Sequence, residues 1–403
     1  MQFYLITLYS LLFFLPQILY ADQNHLKKTI FTSWNSKPNF EDHKYQIKSD
    51  NSIGINVDYT NKYFDTKFVV KKNKNLIFDD SHITFNYKNV KLGLGKISRN
   101  WSFSPRTSLF LSENARPTDS IFLKIRNEKE SRNKYLAWMP KSSIEIFNSK
   151  VKNTLTPNES ILFGTRVIFS PSNSLDLEFI KISQLGEKSY RNTKNFILSP
   201  FLNTNEGPNA DINSVAGIGL SYSVPENIMP IRSYFQLLGE DEANSLPSCF
   251  IYLLGLELTK PNRNAKARLG IEVVDTRTYF STTGYCGPNS AYNNAFYNYT
   301  NYDKVLAAPI DTHGKSIELW GSSPLTKNTK INFSIKNLLI NDAEMFGHRL
   351  SSSRQQGWSN YIGISWEKNN VSISSKLGYQ NISLNNINIS DGLNLNIISE
   401  IKF

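Results

Sequence analysis

Cysteine is nearly absent from this chain, with two residues in 403, Cys249 and Cys286, no Cys-x-x-Cys pair and no His/Cys spacing suited to zinc. That excludes a disulfide scaffold and a zinc-organised fold. Long apolar runs are also missing: after residue 21 none approaches the roughly 18 residues of a helical membrane span, and mean hydropathy is −0.37. Helices therefore do not carry this chain through a bilayer. The pair Gly93-x-Gly95 lies between strand-like segments and lacks the helix that a phosphate loop needs. No cofactor and no metal site is expected.

Aromatic residues, by contrast, make up 13% of the chain, with 25 Phe and 20 Tyr. Such a content suits strands that alternate between lipid and a polar lumen beneath aromatic girdles. The last eleven residues show the pattern. Leu393, Leu395, Ile397, Ile401 and Phe403 share one parity, and Asn394, Asn396, Ile398, Glu400 and Lys402 the other. A strand with one lipid-facing side cannot leave its amides unpaired in hydrocarbon, so the sequence predicts a closed transmembrane antiparallel β-barrel. The same alternation recurs in Lys266–Val274, Ile331–Lys336, Val371–Tyr379 and Phe250–Leu258.

With the carboxyl terminus on the periplasmic side, the turns Glu367–Asn370, Ser323–Lys330, Lys260–Asn264, Ser223–Met229 and Pro171–Ser174 fall inside. The connections Gln380–Gly392, Leu338–Trp358, Ser281–Gly314, Gly239–Ser248 and Gln184–Asp211 fall outside, most of them long. Upstream, strands are expected near 160–169, 134–148, 119–126, 90–97, 81–87, 64–71 and 51–59. A periplasmic amino terminus requires an even number, so the weak segment Tyr45–Lys48 is read as the first strand. The total is about 18, or about 16 if the region 119–148 is misread. Cys249 and Cys286 then lie near the outer ends of neighbouring strands, where either a disulfide kept by an oxidising compartment or two inert thiols would fit.

Residues 1–21 read as a secretory signal, an apolar run from Phe3 to Tyr20 interrupted by Pro16 and ending at Ala21, although the usual Lys or Arg near its start is missing. A single membrane anchor is the other reading. Residues 22–50 are expected to form a short periplasmic segment with the first strand at its end, and 51–403 the barrel. The net charge of +11 favours acidic partners. For an exported protein these are an acidic surface polysaccharide and lipopolysaccharide in outer-membrane lipid rather than nucleic acid. A monomer in the outer membrane of a Gram-negative bacterium is expected.

Several loop stretches resemble the Wzi family of capsule assembly proteins. Gly95 to Pro105, running on through Ser108-Leu109-Phe110-Leu111-Ser112-Glu113-Asn114-Ala115-Arg116-Pro117, is similar to that family's Gly-Arg-x-x-x-x-Trp-x-x-x-Pro and Ser-Leu-x-Leu-Ser-x-Asn-Ala-x-Pro pattern. Phe235 to Ala243 with Leu246-Pro247-Ser248, and Ala291 to Tyr297, are similar to further family segments, though Asn294 stands where His is common. The resemblance implies a barrel of about 18 strands that binds capsular polysaccharide at the cell surface and helps anchor the capsule. One departure is that family members carry a periplasmic helical bundle before the barrel, and Asp22–Asp50 is too short for one.

Sugar recognition uses aromatic faces against pyranose rings, and Arg against uronate or phosphate. The glycan-binding candidates are Arg99, Trp101, Arg106, Arg116, Tyr285, Tyr292, Tyr297 and Tyr299. The alternatives are a packed loop for the tyrosines, and for 95–117 a lumen plug whose Arg99 and Arg106 are neutralised by Glu240, Asp241 and Glu242. An enzymatic reading rests only on His313 after Asp311, and on His348 near Asp342 and Ser351–Ser353, with no nucleophile motif, so no enzyme is expected. A substrate-selective porin for sugars or anions is the main rival.

Overall fold

The structure, a computed structural model, describes residues 26–43, 51–127, 141–153, 160–186, 212–225, 228–243, 246–261, 266–278, 286–288, 290–294 and 297–403. The chain is an all-β closed antiparallel barrel of 18 strands. They are β1 (Leu26–Asn35), β2 (Ser52–Thr60), β3 (Phe64–Lys72), β4 (His82–Tyr87), β5 (Val90–Lys96), β6 (Asp119–Asn127), β7 (Lys141–Val151), β8 (Ser160–Ser170) and β9 (Leu175–Leu185). They continue as β10 (Ile212–Ser223), β11 (Ile231–Ala243), β12 (Leu246–Pro261), β13 (Lys266–Asp275), β14 (Lys315–Pro324), β15 (Thr329–Ile340), β16 (Gln355–Lys368), β17 (Val371–Gln380) and β18 (Gly392–Lys402). Each pairs with its neighbours in sequence, and β1 closes the ring on β18 with Thr29 opposite Lys402 and Asn35 opposite Asn396.

Alternation decides which way each side chain faces. On β12, Leu254, Leu256 and Leu258 point outward and are exposed, while Ile251, Leu253 and Glu257 are buried inside. On β18, Leu393 and Ile401 face out and Asn394 and Asn396 face in, as the sequence pattern requires. Aromatic side chains of the lumen face lie across glycines of the next strand. A Cβ at Gly255 would meet the Tyr234 ring at 2.2 Å, and one at Gly164 the Phe147 ring at 2.2 Å, so only glycine admits those rings.

The turns 61–63, 88–89, 171–174, 325–328 and 369–370 gather at one end, and the connections 36–51, 73–81, 97–118, 341–354 and 381–391 at the other. In an outer-membrane barrel these are the periplasmic and extracellular ends respectively. Two expectations are corrected. The first strand is Leu26–Asn35 rather than Tyr45–Lys48, which lies outside the described residues, so the barrel takes in part of the segment expected to precede it. Its sequence hid it because Phe31, buried at the lumen face, interrupts the polar parity that the alternation relies on. Of the segment expected at 134–148, the described part from Lys141 is a strand as expected, and 134–140 lie outside the described residues. The expected outer loop Gly239–Ser248 continues instead as paired strands, with Asp241 opposite Ser248 and Ala243 opposite Leu246, since pairing above the rim needs no lipid-facing alternation. The signal segment 1–21 also lies outside the described residues.

A charge on the lipid face is destabilising, by about 2–4 kcal/mol near the bilayer midplane. Leu256→Arg is therefore expected to lower the unfolding free energy in lipid vesicles by that order, measured by urea titration against the unchanged chain. An effect within error would contradict the outward assignment of β12.

Candidate functional site

Residues 97–118, between β5 and β6, do not cross the membrane again but fold into the lumen. Their irregular backbone is satisfied by their own serines, which explains a Ser-rich stretch here. Ser102 Oγ accepts the Ser104 amide, Ser104 Oγ accepts those of Arg106 and Thr107, and Ser108 Oγ accepts that of Phe110. Asn100 Nδ2 donates to the Ser104 carbonyl and the Trp101 amide to that of Leu111. The resulting loop buries Trp101 at 2% exposure, Leu109 and Phe110 at 0%. With Phe40 from the short helix Phe40–His43, and with residues of 291–310, they form the hydrophobic core inside the barrel.

Inward-facing polar residues of the wall hold this plug. Gln236 of β11 accepts the Leu109 amide at 2.8 Å and donates to the Trp101 carbonyl at 2.7 Å and to Glu178 at 2.9 Å, and Glu178 also pairs with Arg166. Glu272 of β13 accepts both the Ser104 hydroxyl and, at 2.9 Å, the Tyr234 hydroxyl. Arg99 pairs with Glu145 at 3.2 Å and lies 4.3 Å above the Phe147 ring, while Arg106 pairs with Glu318 and Glu41. The partners expected for these arginines, Glu240, Asp241 and Glu242, are therefore not the ones they use. Arg99 and Arg106 lie deep enough to reach wall carboxylates, whereas β11 carries those three acids to the outer rim. Glu240 accepts the Tyr292 amide, and the side chains of Asp241 and Glu242 lie outside the described residues.

The extracellular connections pack over the plug as a dome. Tyr292 and Tyr299 stack with ring centres 6.1 Å apart and donate their hydroxyls to the Leu109 and Phe110 carbonyls. Burial pushes both phenols well above their ordinary range. Cys249 and Cys286 form a disulfide, with Cα atoms 5.1 Å apart, tying β12 to the loop that carries these tyrosines. In the loop 341–354, Asn341 Oδ1 accepts the Met345 amide and its Nδ2 donates to the Met345 and Ser351 carbonyls. That knot presents Phe346 at its tip, 100% exposed. Arg349 pairs with buried Asp311. Burial raises the Asp311 carboxyl, but the Arg349 guanidinium outweighs it and holds the acid below its ordinary range.

The family model for capsule assembly protein Wzi matches residues 26–396. This chain belongs to the Wzi capsule assembly family. An uncharacterized 55.8 kDa protein in the cps region of Klebsiella pneumoniae is 23% identical over 245 residues, which is 58% of this chain and 48% of that protein. The match thus spans about half the length of that curated relative. The solved Escherichia coli outer membrane protein Wzi, described as involved in group 1 capsule assembly and as a carbohydrate binding β-barrel, is 20% identical. It aligns with a TM-score of 0.77 over 94% of this chain and 84% of its own. Pseudomonas aeruginosa OprD aligns at 9% identity and TM-score 0.52, over 94% of each chain, a likeness of fold alone.

In this Wzi-family barrel the expected glycan residues separate into two groups. Trp101, Arg99, Tyr292 and Tyr299 are buried structural members of the plug and dome, and Arg106 is mostly enclosed. Arg116, paired with Asp79 and 4.2 Å from the Tyr302 ring, and Tyr297 are half-buried; Tyr285 lies outside the described residues. Sequence reading missed Gln236, Glu178, Glu272 and Glu318 as anchors, although polar residues on the lumen parity of a strand were the available signal. It also missed Phe346. Of the two histidines considered for chemistry, His348 is held by backbone partners. His348 Nε2 donates to the Thr312 carbonyl at 2.9 Å and its Nδ1 accepts backbone amides, while Ser351 Oγ donates to the Ser353 carbonyl rather than to an imidazole.

Burial lowers the His348 pKa below 6.5, against the opposing charge of Asp311. A lowered folded value means that neutral His348 favours the closed loop above pH 6.5, and that this contribution is lost as pH falls below it. Asp311, also lowered from 3.8, adds a second loss at more acidic pH. Amide hydrogen exchange at Leu350 and Ser351, corrected for its intrinsic pH dependence, is expected to show less protection at pH 5 than at 7.5. Equal protection would rule out this coupling.

Proposed function

We propose that this outer-membrane barrel binds capsular, acidic polysaccharide on the outer surface of its dome and helps to assemble or anchor the capsule, acting as a lectin rather than an enzyme. The observation that carries this reading is the filled lumen. Trp101, Leu109 and Phe110 occupy the barrel interior where a solute channel would hold water. The strands are thus a mount, and the rigid outer surface is the working face. Membership of the capsule assembly family supports the same reading.

The residues best placed on that face are Phe346 at its loop tip, and Arg354, whose side chain is 47% exposed while paired with Asp342. Tyr297 and Arg116, both half-buried, are assigned the same role. An exposed aromatic ring suits stacking on a pyranose, and a partly exposed guanidinium suits a uronate or phosphate. Arg99, Trp101, Tyr292 and Tyr299 contribute instead by holding the dome in shape.

Purified, detergent-folded protein is expected to bind native capsular polysaccharide saturably, and Phe346→Ala/Arg354→Ala to weaken binding about tenfold, the size of a modest hot spot. In planar bilayers the unchanged protein should pass little current, and Trp101→Ala, which removes a buried plug anchor, should raise it. Steady conductance by the unchanged protein together with no glycan binding would leave the porin reading instead.

A further inference from the structure

On the lipid face, β12 to β15 carry a groove near the short-turn end. Pairing sets Leu258 opposite Leu269, Leu269 opposite Gly321 and Gly321 opposite Phe333. The Phe333 ring lies across Gly321, where a Cβ would meet it at 2.4 Å. One step nearer the turns, on the same outward parity, Lys260 is opposite Ala267 and Ser323 opposite Ile331. Ala267 and Ser323 are thus small residues on neighbouring strands, bounded by larger ones, and Ser323 turns its hydroxyl to the Pro324 carbonyl. The result is a depression of about 230 Å³ whose walls include Leu258, Leu269, Ile331 and Phe333. Water gains no partners in an apolar space of this kind, and on this face of a barrel the surrounding bilayer supplies hydrocarbon.

The turns below the groove are basic without exception. From Leu258 to Arg268 and from Ser322 to Asn332 the sequence holds Lys260, Arg263, Lys266, Arg268, Lys327 and Lys330, and no Asp or Glu. Arg268 turns into the lumen and pairs with Glu257, and Arg263 lies outside the described residues. Lys260, at the mouth of the groove, is exposed, as is Lys327 in the turn 325–328. Neither has a carboxylate partner among the described residues. At this end of the barrel they lie at the headgroup level of the periplasmic leaflet, where a long Lys stem lets the ammonium reach a phosphate. An apolar groove that ends in unbalanced positive charge matches one molecule with a hydrocarbon chain and an anionic head.

We propose that this groove is a binding site for one anionic glycerophospholipid of the periplasmic leaflet, with an acyl chain along Ala267 and Ser323 and its phosphate met by Lys260 and Lys327. The site is on the lipid side of the wall, away from both plug and dome, so it does not rest on the glycan reading. A lipid held at both head and chain would bridge β12 to the β14–β15 turn and fix the height of this sector in the bilayer.

The test is native mass spectrometry of the full-length, detergent-folded protein titrated with phosphatidylglycerol, or with phosphatidylcholine of the same acyl chains. Each Lys near an anionic group is worth roughly fivefold in affinity, so one phosphatidylglycerol should be retained saturably and about twentyfold more tightly than phosphatidylcholine. Lys260→Gln/Lys327→Gln should erase that difference and leave phosphatidylcholine affinity unchanged. Ala267→Leu, which fills the groove floor, should weaken both lipids. Both variants should keep the thermal midpoint of the unchanged protein in detergent, which separates a lost lipid from a damaged fold. Equal affinity for the two lipids, meaning an ordinary annular layer, overturns the proposal. So does phosphatidylglycerol binding that survives both variants, or a dimer of this chain in place of bound lipid.

Discussion

Every other feature of this molecule depends on the pairing of β1 with β18. In hydrocarbon an unpaired amide or carbonyl has no water to turn to, so a sheet of this kind is stable only when its last strand meets its first. The register of that seam, from Thr29 opposite Lys402 to Asn35 opposite Asn396, removes both edges. It also makes the strand count even.

Closure creates a second requirement. A ring of this size encloses space, and the chain fills the outer part of it with its own loop rather than leaving it to solvent. The hydrophobic core is consequently inside the barrel, where loop residues such as Trp101, Phe110 and Tyr292 pack against inward-facing strand residues such as Phe147, Leu162 and Ile251. The wall also contributes polar anchors: Gln236 reads the plug backbone, and Glu145, Glu272 and Glu318 receive its arginines and serine. These carboxylates sit in a poorly hydrated lumen, and removing one partner would leave a buried charge uncompensated, a strongly destabilising change. The plug is therefore positioned by specific pairs and not by apolar contact alone.

This division of labour bears on how such a barrel can act at a surface. Ser and Asn side chains knit the loops into fixed turns, the Cys249–Cys286 disulfide ties the tyrosine-bearing loop to the wall, and the Arg349–Asp311 and His348–Thr312 contacts lock neighbouring loops together. A preorganised outer face loses little conformational entropy on binding a long, flexible polymer. The Escherichia coli relative with the same fold is described as a carbohydrate binding barrel in capsule assembly, and the share of the chain matched by the family model includes the plug and the dome.

The sequence by itself determined the class of fold, the parity of nearly every strand and the ends at which turns and loops lie. The reason is that the lipid acts on each strand separately: an outward position must be apolar whatever its neighbours do, and a period of two records this residue by residue. It failed at β1, where a lumen-facing Phe31 blurs the period, and above the rim at β11 and β12, where lipid no longer imposes one. It also marked 95–117 as special, with plug and glycan surface left as alternatives. Only the tertiary structure decided between partners for the plug's arginines, because Arg99 meets Glu145 and Arg106 meets Glu318 across many residues of sequence, through depth in a shared lumen. The same holds for the aromatic side chains. Trp101, Tyr292 and Phe346 are alike as sequence, and it is packing in three dimensions that buries the first two and leaves the third in water.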